Sequence, residues 1–340
     1  MRLPSDGPVL HRNSVFSCCL LFLVSLTTAL EFTVCTTVMN EVDYMVEWIE
    51  FLALQNVTRV VVGDHWSRDG LRHLAAFYRH RSPEVVVLPN SGEQTPFLDA
   101  CGRRHASSDW LAFLDNDEFP WSPRHGSLLA YLETLPKDVT QVHAFDLRFG
   151  VGSWRRRPRV RVTNSAVRPL NHSRYQLVTE HHVRRAPSLA LGERLAYRRV
   201  MRMRLPACNG TQMQAIYGPA FRGSANDTKG FCGLMTDEAN RLGKSFVRGY
   251  AFGRLGHPHY AQLKKGISHR ETDLRQLRIN HYFVRSRQDA YKKARQWAKH
   301  DPVEWVEQAL PLQHAVRDDS LCRAFVPRLK MRLQALDISV

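Results

Sequence analysis

The chain has 340 residues, of which 44% are hydrophobic, and its 48 Lys and Arg against 32 Asp and Glu give a formal net charge of +16. The hydrophobic fraction excludes a disordered chain, and the length excludes a small fold held only by disulfides. One large α/β domain or two smaller domains would fit this length. The positive charge suits either a nucleic acid or a small anion such as a nucleotide diphosphate.

The first 30 residues are predicted to be a signal peptide or a short membrane anchor. Arg2, His11 and Arg12 precede an apolar run, Val15–Leu26, which is the layout of such segments. A buried core helix is the alternative interpretation. Entry into the secretory pathway also agrees with the N-glycosylation sequons. These begin at Asn56, Asn171, Asn209 and Asn226.

The seven cysteines define no disulfide framework. Cys18 and Cys19 lie in the apolar run, which leaves an odd number for the folded part. Cys208 and Cys232 flank a loop-like stretch and are compatible either with a disulfide in an oxidising lumen or with two reduced thiols. The remaining cysteines are Cys35, Cys101 and Cys322.

Strand and helix patterns alternate from residue 32 onwards. Phe32–Met39 is predicted to be a strand, and Asn40 is predicted to cap a helix that ends near Gln55, with Asp43 at its third position. The following predicted elements are strand Val57–Gly63, helix Leu71–His80, strand Glu84–Leu88, helix Thr95–Ala106 and strand Trp110–Leu114. Such alternation predicts an α/β fold whose parallel sheet is covered by helices on both faces.

The alternation loosens after Pro136. The sequence predicts another strand at Thr140–Arg148, then an Arg-rich segment, Trp154–Arg161, and a loop-rich stretch from Ala186 to Gly243. Helix patterns return at Arg287–Lys299 and Pro302–Leu310. We therefore divide the chain into the N-terminal segment (1–30), a main domain (31–300) and a C-terminal helical extension (301–340).

An acidic turn directly follows the strand that ends at Leu114. Asp115 and Asp117 stand two residues apart in this turn, and ligands of open α/β sheets bind at the carboxyl ends of strands. Two such carboxylates can hold one hard divalent cation, which in turn neutralises a diphosphate. An isolated Asp-x-Asp can instead be a solvated acidic turn, but the end of a buried strand favours a site.

Polar residues also follow the first two strands. Asn40 and Glu41 follow the first, and Asp64, Ser67 and Asp69 follow the second, so all are expected at one crevice, where short acids accept hydrogen bonds from a ribose or a base. A helix cap and a turn would explain the same residues. The chain contains neither Gly-x-Gly-x-x-Gly nor Gly-x-x-x-x-Gly-Lys, which argues against a dinucleotide site or a P-loop.

Three later segments could add ligands to this crevice. His257 and His259 flank a proline and could complete a metal site with mixed oxygen and nitrogen ligands, as Mn²⁺ tolerates, although such a pair is also typical of a surface loop. Lys244–Arg248 and Asn280–Tyr282 supply cations and donors suited to a diphosphate, or are plain strand edges.

Short motifs occur in a fixed order between residues 33 and 299. They are Met39–Glu41, Glu47–Ile49, Asp64–Asp69, Gln94, Phe113–Phe119, Phe149–Gly150, Arg157–Pro158, Glu180–Arg185, Lys244–Arg248, His257, Asn280–Tyr282, Arg285–Ser286 and Lys293. This series resembles glycosyltransferase family 92 and its family-2-like relatives. Gly63 and Gly249 depart from the pattern, since relatives often carry an aromatic residue and a proline there. The resemblance implies a GT-A nucleotide-sugar-binding fold with a Rossmann-like, mixed and mostly parallel sheet.

The resemblance also implies an activity and a set of site residues. It implies a metal-dependent, inverting transferase that moves a sugar, galactose in the family, from a uridine diphosphate donor to a glycan or glycoprotein acceptor. Asp115, Asp117 and His257 match the site for Mn²⁺ or another divalent cation, with His259 open as an alternative to His257. Expected donor-binding residues are Asn40, Glu41, Asp64, Asp69, Lys244, Arg248 and His281. Asp237 and Glu238 are the candidates for the catalytic base, which no motif marks.

The expected location is the secretory pathway: the Golgi lumen or membrane with a type II anchor, or the exterior if the N-terminal segment is cleaved. Nucleic acid is then not an expected partner. Two other interpretations stay open. The Arg-rich segment Trp154–Arg161 suits a module that binds nucleic acid or an acidic glycan, and two acids at a strand end also suit a metal-dependent phosphoryl or nucleotidyl enzyme.

Overall fold

The first half of the chain forms the predicted alternation of strands and helices. In the computed structural model its elements are β1 (Phe32–Val38), α1 (Val42–Leu54), β2 (Arg59–Asp64), α2 (Leu74–Phe77), β3 (Glu84–Pro89), α3 (Gln94–Arg104), β4 (Trp110–Phe113), β5 (Glu118–Trp121), α4 (Leu128–Glu133) and β6 (Val139–Arg148). The helix predicted at Leu71–His80 is shorter than expected, because Leu71–His73 forms a 3-10 turn before α2.

The second half contributes mostly strands. They are β7 (Val160–Val162), β8 (Val167–Pro169), β9 (Val183–Arg185), β10 (Lys244–Arg248), β11 (Phe252–His257), β12 (Tyr260–Leu263), β13 (Ile267–Arg270), β14 (Arg278–His281) and β15 (Ala315–Arg317), before helix α5 (Ser320–Ala335). The hairpin β7–β8 and the pairs β11–β12 and β9–β15 form separate two-stranded sheets.

The structure describes residues 30–149, 160–170, 177–180, 183–185, 243–271, 273–282, 285–286, 288–289, 291–292, 315–317, 320–338 and 340. Several predictions concern residues outside these ranges. They are the N-terminal segment, the glycosylation sequons other than Asn56, the cysteines Cys208 and Cys232, the helix Pro302–Leu310, and the candidate bases Asp237 and Glu238. No helix of the described ranges is long and apolar enough to cross a membrane.

A mixed sheet of nine strands organises the fold. Strands β3, β2, β1 and β4 are neighbours in that order and run parallel. Strand β10 lies antiparallel between β4 and β6, β14 and β13 run parallel to β6, and β5 runs antiparallel to β14. The carboxyl ends of the four parallel strands therefore meet at one edge, and all residues of the acidic turn follow β4 at that edge.

Helix α1 is buried over almost its whole length. Its N-terminal backbone amide, on Val42, donates a hydrogen bond to Asp69 Oδ2 at 2.8 Å, so the capping carboxylate comes from the loop after β2. The prediction that Asn40 caps this helix is wrong: Glu41 is the N-cap residue, and Asn40 has a left-handed backbone with φ of 56°. This cross-loop cap ties the ends of β1 and β2 together.

A buried carboxylate connects α1 to the segment 177–180. Glu47 is fully buried and accepts hydrogen bonds from the backbone amides of Val178 and Thr179 at 2.7 and 2.8 Å, and from the Thr179 hydroxyl at 2.8 Å. Burial raises the pKa of Glu47 to about 7, although these hydrogen bonds favour the charged form. Glu180 forms an ion pair with Lys330, which brings α5 to the same segment.

A disulfide between Cys35 and Cys101 joins β1 to α3. Both cysteines are buried in a hydrophobic cluster between the sheet and this helix. Because α3 begins at Gln94, at the carboxyl edge of the sheet, the disulfide holds this edge together as well as the core. The sequence did not predict this pairing, and a disulfide of this kind fits an oxidising compartment.

Candidate active site

A cavity of about 620 Å³ opens at the carboxyl edge of the parallel strands. Its volume is in the range of sites for small organic ligands. The start of α3 forms one wall, so the cavity receives the positive end of that helix dipole, which favours an anionic ligand. The lining residues are Thr37, Val38, Met39, His65, Asn90, Ser91, Gly92, Glu93 and Gln94.

The loops after β1 and β2 are locked together beside this cavity. The backbone amide of Asn40 donates to Ser67 Oγ at 2.9 Å, and the amide of Arg68 donates to Asn40 Oδ1 at 2.8 Å. The amide of Ser67 donates to Asp64 Oδ1 at 2.8 Å. Three predicted donor-binding residues therefore accept hydrogen bonds from backbone amides through their side-chain oxygens. They are Asn40, Asp64 and Asp69. Their direct contact with a nucleotide stays a prediction.

Lys244, at the start of β10, is the counter-ion of the acidic turn. Asp115 Oδ2 accepts a hydrogen bond from Lys244 Nζ at 2.9 Å, and its Oδ1 accepts one from Gln94 Nε2 at 2.7 Å. Lys244 Nζ also lies 3.4 Å from Glu118 Oε2, which accepts the backbone amide of Asp115 at 2.9 Å. The Lys244 side chain is 1% exposed, whereas that of Asp115 is 35% exposed.

Burial and the charge of Lys244 determine the pKa values of the carboxyl groups in this cluster. Burial opposes ionisation of Asp115, but the ammonium of Lys244 holds the pKa of this carboxyl below its usual value. Burial raises the pKa of Glu118 to about 8, against the effect of Lys244. The two carboxyl groups in turn raise the pKa of Lys244, which burial alone would lower. Lys244 and Asp115 are therefore an ion pair at neutral pH.

Asp117 points to the other side of the turn. His281 Nε2 lies 3.3 Å from Asp117 Oδ1, and His281 Nδ1 lies 2.7 Å from Asp146 Oδ2. Burial alone would lower the pKa of His281, but Asp146 and Asp117 raise it to about 10, so the ring is a cation between two carboxylates. The backbone amide of Tyr282 also donates to the Asp117 carbonyl at 2.8 Å. His281, predicted to bind the donor, thus supports Asp117 from a buried position.

Two cations neutralise Glu41 at the rim of the crevice. Arg285 forms an ion pair with Glu41, and Lys292 Nζ lies 2.9 Å from Glu41 Oε1 and donates to the Asn40 carbonyl at 3.1 Å. The Arg285 guanidinium also stacks 3.7 Å from the centre of the Tyr44 ring. No local sequence pattern indicates these contacts, because Arg285 and Lys292 lie more than 240 residues from Glu41.

The two candidate histidines lie near Lys244. Their ring centres are 5.1 Å apart, and His259 Nδ1 lies 3.2 Å from the Gly243 carbonyl. Burial and Lys244 lower the pKa of His257 and lower that of His259 to about 3, so both rings are neutral and able to act as ligands. Asp115 acts on His259 in the direction that raises its pKa, but burial and Lys244 have larger effects.

Arg248 does not reach the crevice. It pairs with Trp110, at the amino end of β4, while Lys244 lies at the opposite end of β10. Its guanidinium stacks 4.5 Å from the Trp110 ring centre and donates to the Val139 carbonyl at 3.2 Å. The structure therefore removes Arg248 from the expected donor-binding set, because the length of the strand separates it from the acidic turn.

No three or more His, Cys, Asp or Glu side chains of the described ranges are placed so that they could hold a metal ion together. Divalent cations in phosphate sites are, however, commonly held by one or two carboxylates together with substrate oxygens and water. Asp115 is the partly exposed carboxylate of the acidic turn and could take part in such a shared site, whereas Asp117 is buried against His281.

Comparison with known proteins relates part of the chain to glycosyltransferases. Residues 33–200, just under half of the chain, match the model of Glycosyl transferase family 2. A glycosyltransferase family 92 protein of Ricinus communis is 28% identical over 103 residues, which are 28% of this chain and 17% of that protein. A solved structure, described as that of a mycobacterial protein, is 19% identical over 35% of this chain and 41% of the other, and its TM-score of 0.26 is too low to bear on the fold.

These matches confirm the resemblance to family 2-like glycosyltransferases and to family 92. They also confirm the fold class, a mixed α/β fold of the GT-A, Rossmann-like type. Both matches are to glycosyltransferases. The matched stretch is a small part of the Ricinus protein, so the finer activity of that protein is not carried over as a finding.

Proposed function

We propose that the protein is a metal-dependent glycosyltransferase. It transfers a sugar, galactose by family resemblance, from a uridine diphosphate donor to a glycan or glycoprotein acceptor, with inversion at the anomeric carbon. The observation that carries this proposal is the position of Asp115 and Lys244, which form an ion pair beside a cavity at the carboxyl edge of the sheet. This is the edge at which α/β sheets bind nucleotides.

The cavity would bind the nucleoside, and the acidic turn would bind the diphosphate. The backbone after β1 and the first residues of α3 form the cavity walls, and Gln94 connects them to Asp115 through its hydrogen bond. Asp115, Asp117 and His259 or His257 would hold Mn²⁺ or another divalent cation. The cation would neutralise the leaving diphosphate, and the Lys244 ammonium adds a second positive charge at the same place.

Inverting transfer also requires a base that accepts the proton of the acceptor hydroxyl. Asp237 and Glu238 remain our candidates for it, in the stretch outside the described residues. We further propose that the protein acts in the secretory pathway, in the Golgi lumen or at its membrane, or outside the cell. The Cys35–Cys101 disulfide supports an oxidising compartment.

Binding of uridine diphosphate tests this proposal directly. We expect uridine diphosphate with Mn²⁺ to raise the melting temperature of the full chain, and Asp115→Asn to remove this shift. Asp138→Asn, which changes an exposed acid away from the crevice, is the matched control and should keep it. The melting temperature of each variant without ligand shows whether it is folded.

A screen of donor hydrolysis extends the test to the sugar. Uridine and guanosine diphosphate sugars are compared, and we expect turnover with a uridine donor, galactose first. No turnover with any donor, together with no ligand-induced shift, would contradict the proposal. Stabilisation by an oligonucleotide with a steep salt dependence would instead favour a nucleic-acid-binding module.

A further inference from the structure

Trp66 is the most exposed large hydrophobic side chain of the described ranges, at 69%. It follows His65, which lines the cavity, and its backbone is left-handed with φ of 58°. A bulky residue in this region is strained and persists only when its surroundings fix it. The hydrogen bonds that join Asn40, Asp64 and Ser67 fix the loop on both sides of Trp66. The indole is therefore held in solvent on a rigid loop.

The β7–β8 hairpin carries two exposed arginines. Arg161 and Arg168 are directly opposite each other across the β7–β8 hairpin, and both are exposed. Like charges at such cross-strand positions destabilise a hairpin unless an anion compensates them. No described residue forms an ion pair with either arginine. The hairpin therefore bears a positive charge pair that a ligand could neutralise.

The β7–β8 hairpin contacts the chain just after the loop that carries Trp66. His73 Nδ1 lies 2.8 Å from Asn164 Oδ1 in the hairpin turn, and a Cβ placed on Gly70 would lie 3.3 Å from the Val162 carbonyl. Arg68 and Arg72 are also exposed on the loop side. The acids of this loop, Asp64 and Asp69, accept hydrogen bonds from backbone amides, and no described ion pair joins either of them to these arginines. We call Trp66, Arg68, Arg72, Arg161 and Arg168 the Trp66–arginine face.

We propose that the Trp66–arginine face is the acceptor subsite for an acidic glycan, one whose sugar rings carry sulfate or carboxylate groups. The flat apolar indole suits the C–H face of a sugar ring, and guanidinium groups bind sulfate or carboxylate through paired hydrogen bonds. The face adjoins the donor cavity through His65. The assignment as an acceptor subsite rests on the proposed glycosyltransferase function, whereas the binding of an acidic glycan does not.

The test uses a fluorescent heparin-derived oligosaccharide and the full chain. We expect wild-type protein to bind it, with affinity that falls as salt rises. Arg161→Gln/Arg168→Gln should weaken binding by roughly tenfold, because two charge-assisted contacts are lost. Trp66→Ala should weaken it by roughly fivefold at low and high salt alike, because it removes an apolar contact. Arg104→Gln/Arg254→Gln, which removes two exposed arginines elsewhere, should bind as the wild type does.

Two further readouts keep the outcomes distinct. The hairpin variant should melt at the same or a higher temperature than wild type, since it removes like-charge repulsion, and it should keep the shift with uridine diphosphate and Mn²⁺. If the melting temperature of the wild type does not rise with uridine diphosphate and Mn²⁺, the donor proposal is contradicted. Glycan binding is then decided by the heparin measurements alone. Equal glycan affinities of the two double variants, or tighter binding of an oligonucleotide than of the heparin probe, would overturn the assignment of this face.

Discussion

Lys244 Nζ lies 2.9 Å from Asp115 Oδ2, and this contact joins two parts of the chain that are 129 residues apart. Strand β10 carries the ammonium into the centre of the sheet, where it lies within 3.4 Å of Glu118 as well. The acidic turn is therefore neutralised in part by the protein itself. A cation that binds there competes with Lys244, which favours a cation that brings diphosphate oxygens with it.

Removal of the Lys244 charge should destabilise the fold. Lys244→Met leaves the carboxyl groups of Asp115 and Glu118 close together without their counter-ion, and loss of one member of a buried ion pair costs about 3–5 kcal/mol. We expect a loss of this order in the free energy of unfolding, measured by urea denaturation at neutral pH.

A triple variant provides the control for this effect. Lys244→Met/Asp115→Asn/Glu118→Gln removes both titratable carboxyl groups together with the ammonium, and most of the lost stability should return. If the triple variant is as unstable as Lys244→Met, the loss comes from packing around the lysine stem and not from charge.

The Cys35–Cys101 disulfide should contribute to stability and to the cavity. Cys35→Ala/Cys101→Ala should lower the free energy of unfolding by about 2–4 kcal/mol, because the unfolded chain regains the freedom of a long loop. Since α3 supplies one cavity wall, the stabilisation by uridine diphosphate should also decrease. Cys322→Ala, at a cysteine outside the disulfide, is the control and should leave both quantities close to those of the wild type. Peptide mapping that finds Cys35 or Cys101 as a thiol in the native protein would contradict the pairing.

Glu47 should make the stability depend on pH. Its pKa is about 7 in the folded protein against 4.5 as the unperturbed value, so the folded state binds the proton more tightly than the unfolded state. The free energy of unfolding therefore decreases as pH rises from 4.5 to 7, by on the order of 3 kcal/mol from this group. The measurement is the difference between wild type and Glu47→Gln in urea midpoints across this range. A constant difference from pH 4 to pH 8 would show that Glu47 does not titrate this way.

Gly249 lies where a side chain cannot fit. A Cβ at this position would lie 2.1 Å from the Ser108 carbonyl and 2.6 Å from the Ala106 carbonyl. Gly249→Ala should therefore cost about 1–3 kcal/mol, because the backbone after α3 must move. Gly256→Ala is the matched control, since the nearest atom to its Cβ would be 3.7 Å away. Equal melting temperatures for the two variants would contradict the close approach at Gly249.

Periodicity predicted the first half of the fold well. Strands β1 to β4 and helices α1 and α3 begin and end within a few residues of their predicted bounds, because each has a strong apolar pattern and turn residues at both ends. The mixed order of the second half was not predictable, since β10 and β14 pair with strands about 100 or more residues away in the chain. Their positions depend on contacts that a local pattern does not contain.

The position of Asp115 after a buried strand could be predicted from the sequence, but its ion pair with Lys244 could not. The sequence pattern also groups Lys244 with Arg248, whereas in the structure the two lie at opposite ends of β10. Likewise Cys35 and Cys101 gave no signal, because an odd cysteine count does not show which residues pair. Gly63, where an aromatic residue was expected, has the Phe97 ring 2.7 Å from its Cβ position, so a residue from α3 fills that space.

The place of β10 in the sheet has a consequence for synthesis on the ribosome. All of β3, β2, β1 and β4 is made before residue 114, whereas the strand that covers β4 begins only at Lys244. The emerging chain therefore exposes an unpaired edge on β4, and its acidic turn lacks the Lys244 counter-ion during this interval. We expect the nascent protein to depend on chaperones in this interval, and to become resistant to protease only once residues beyond 248 have left the exit tunnel.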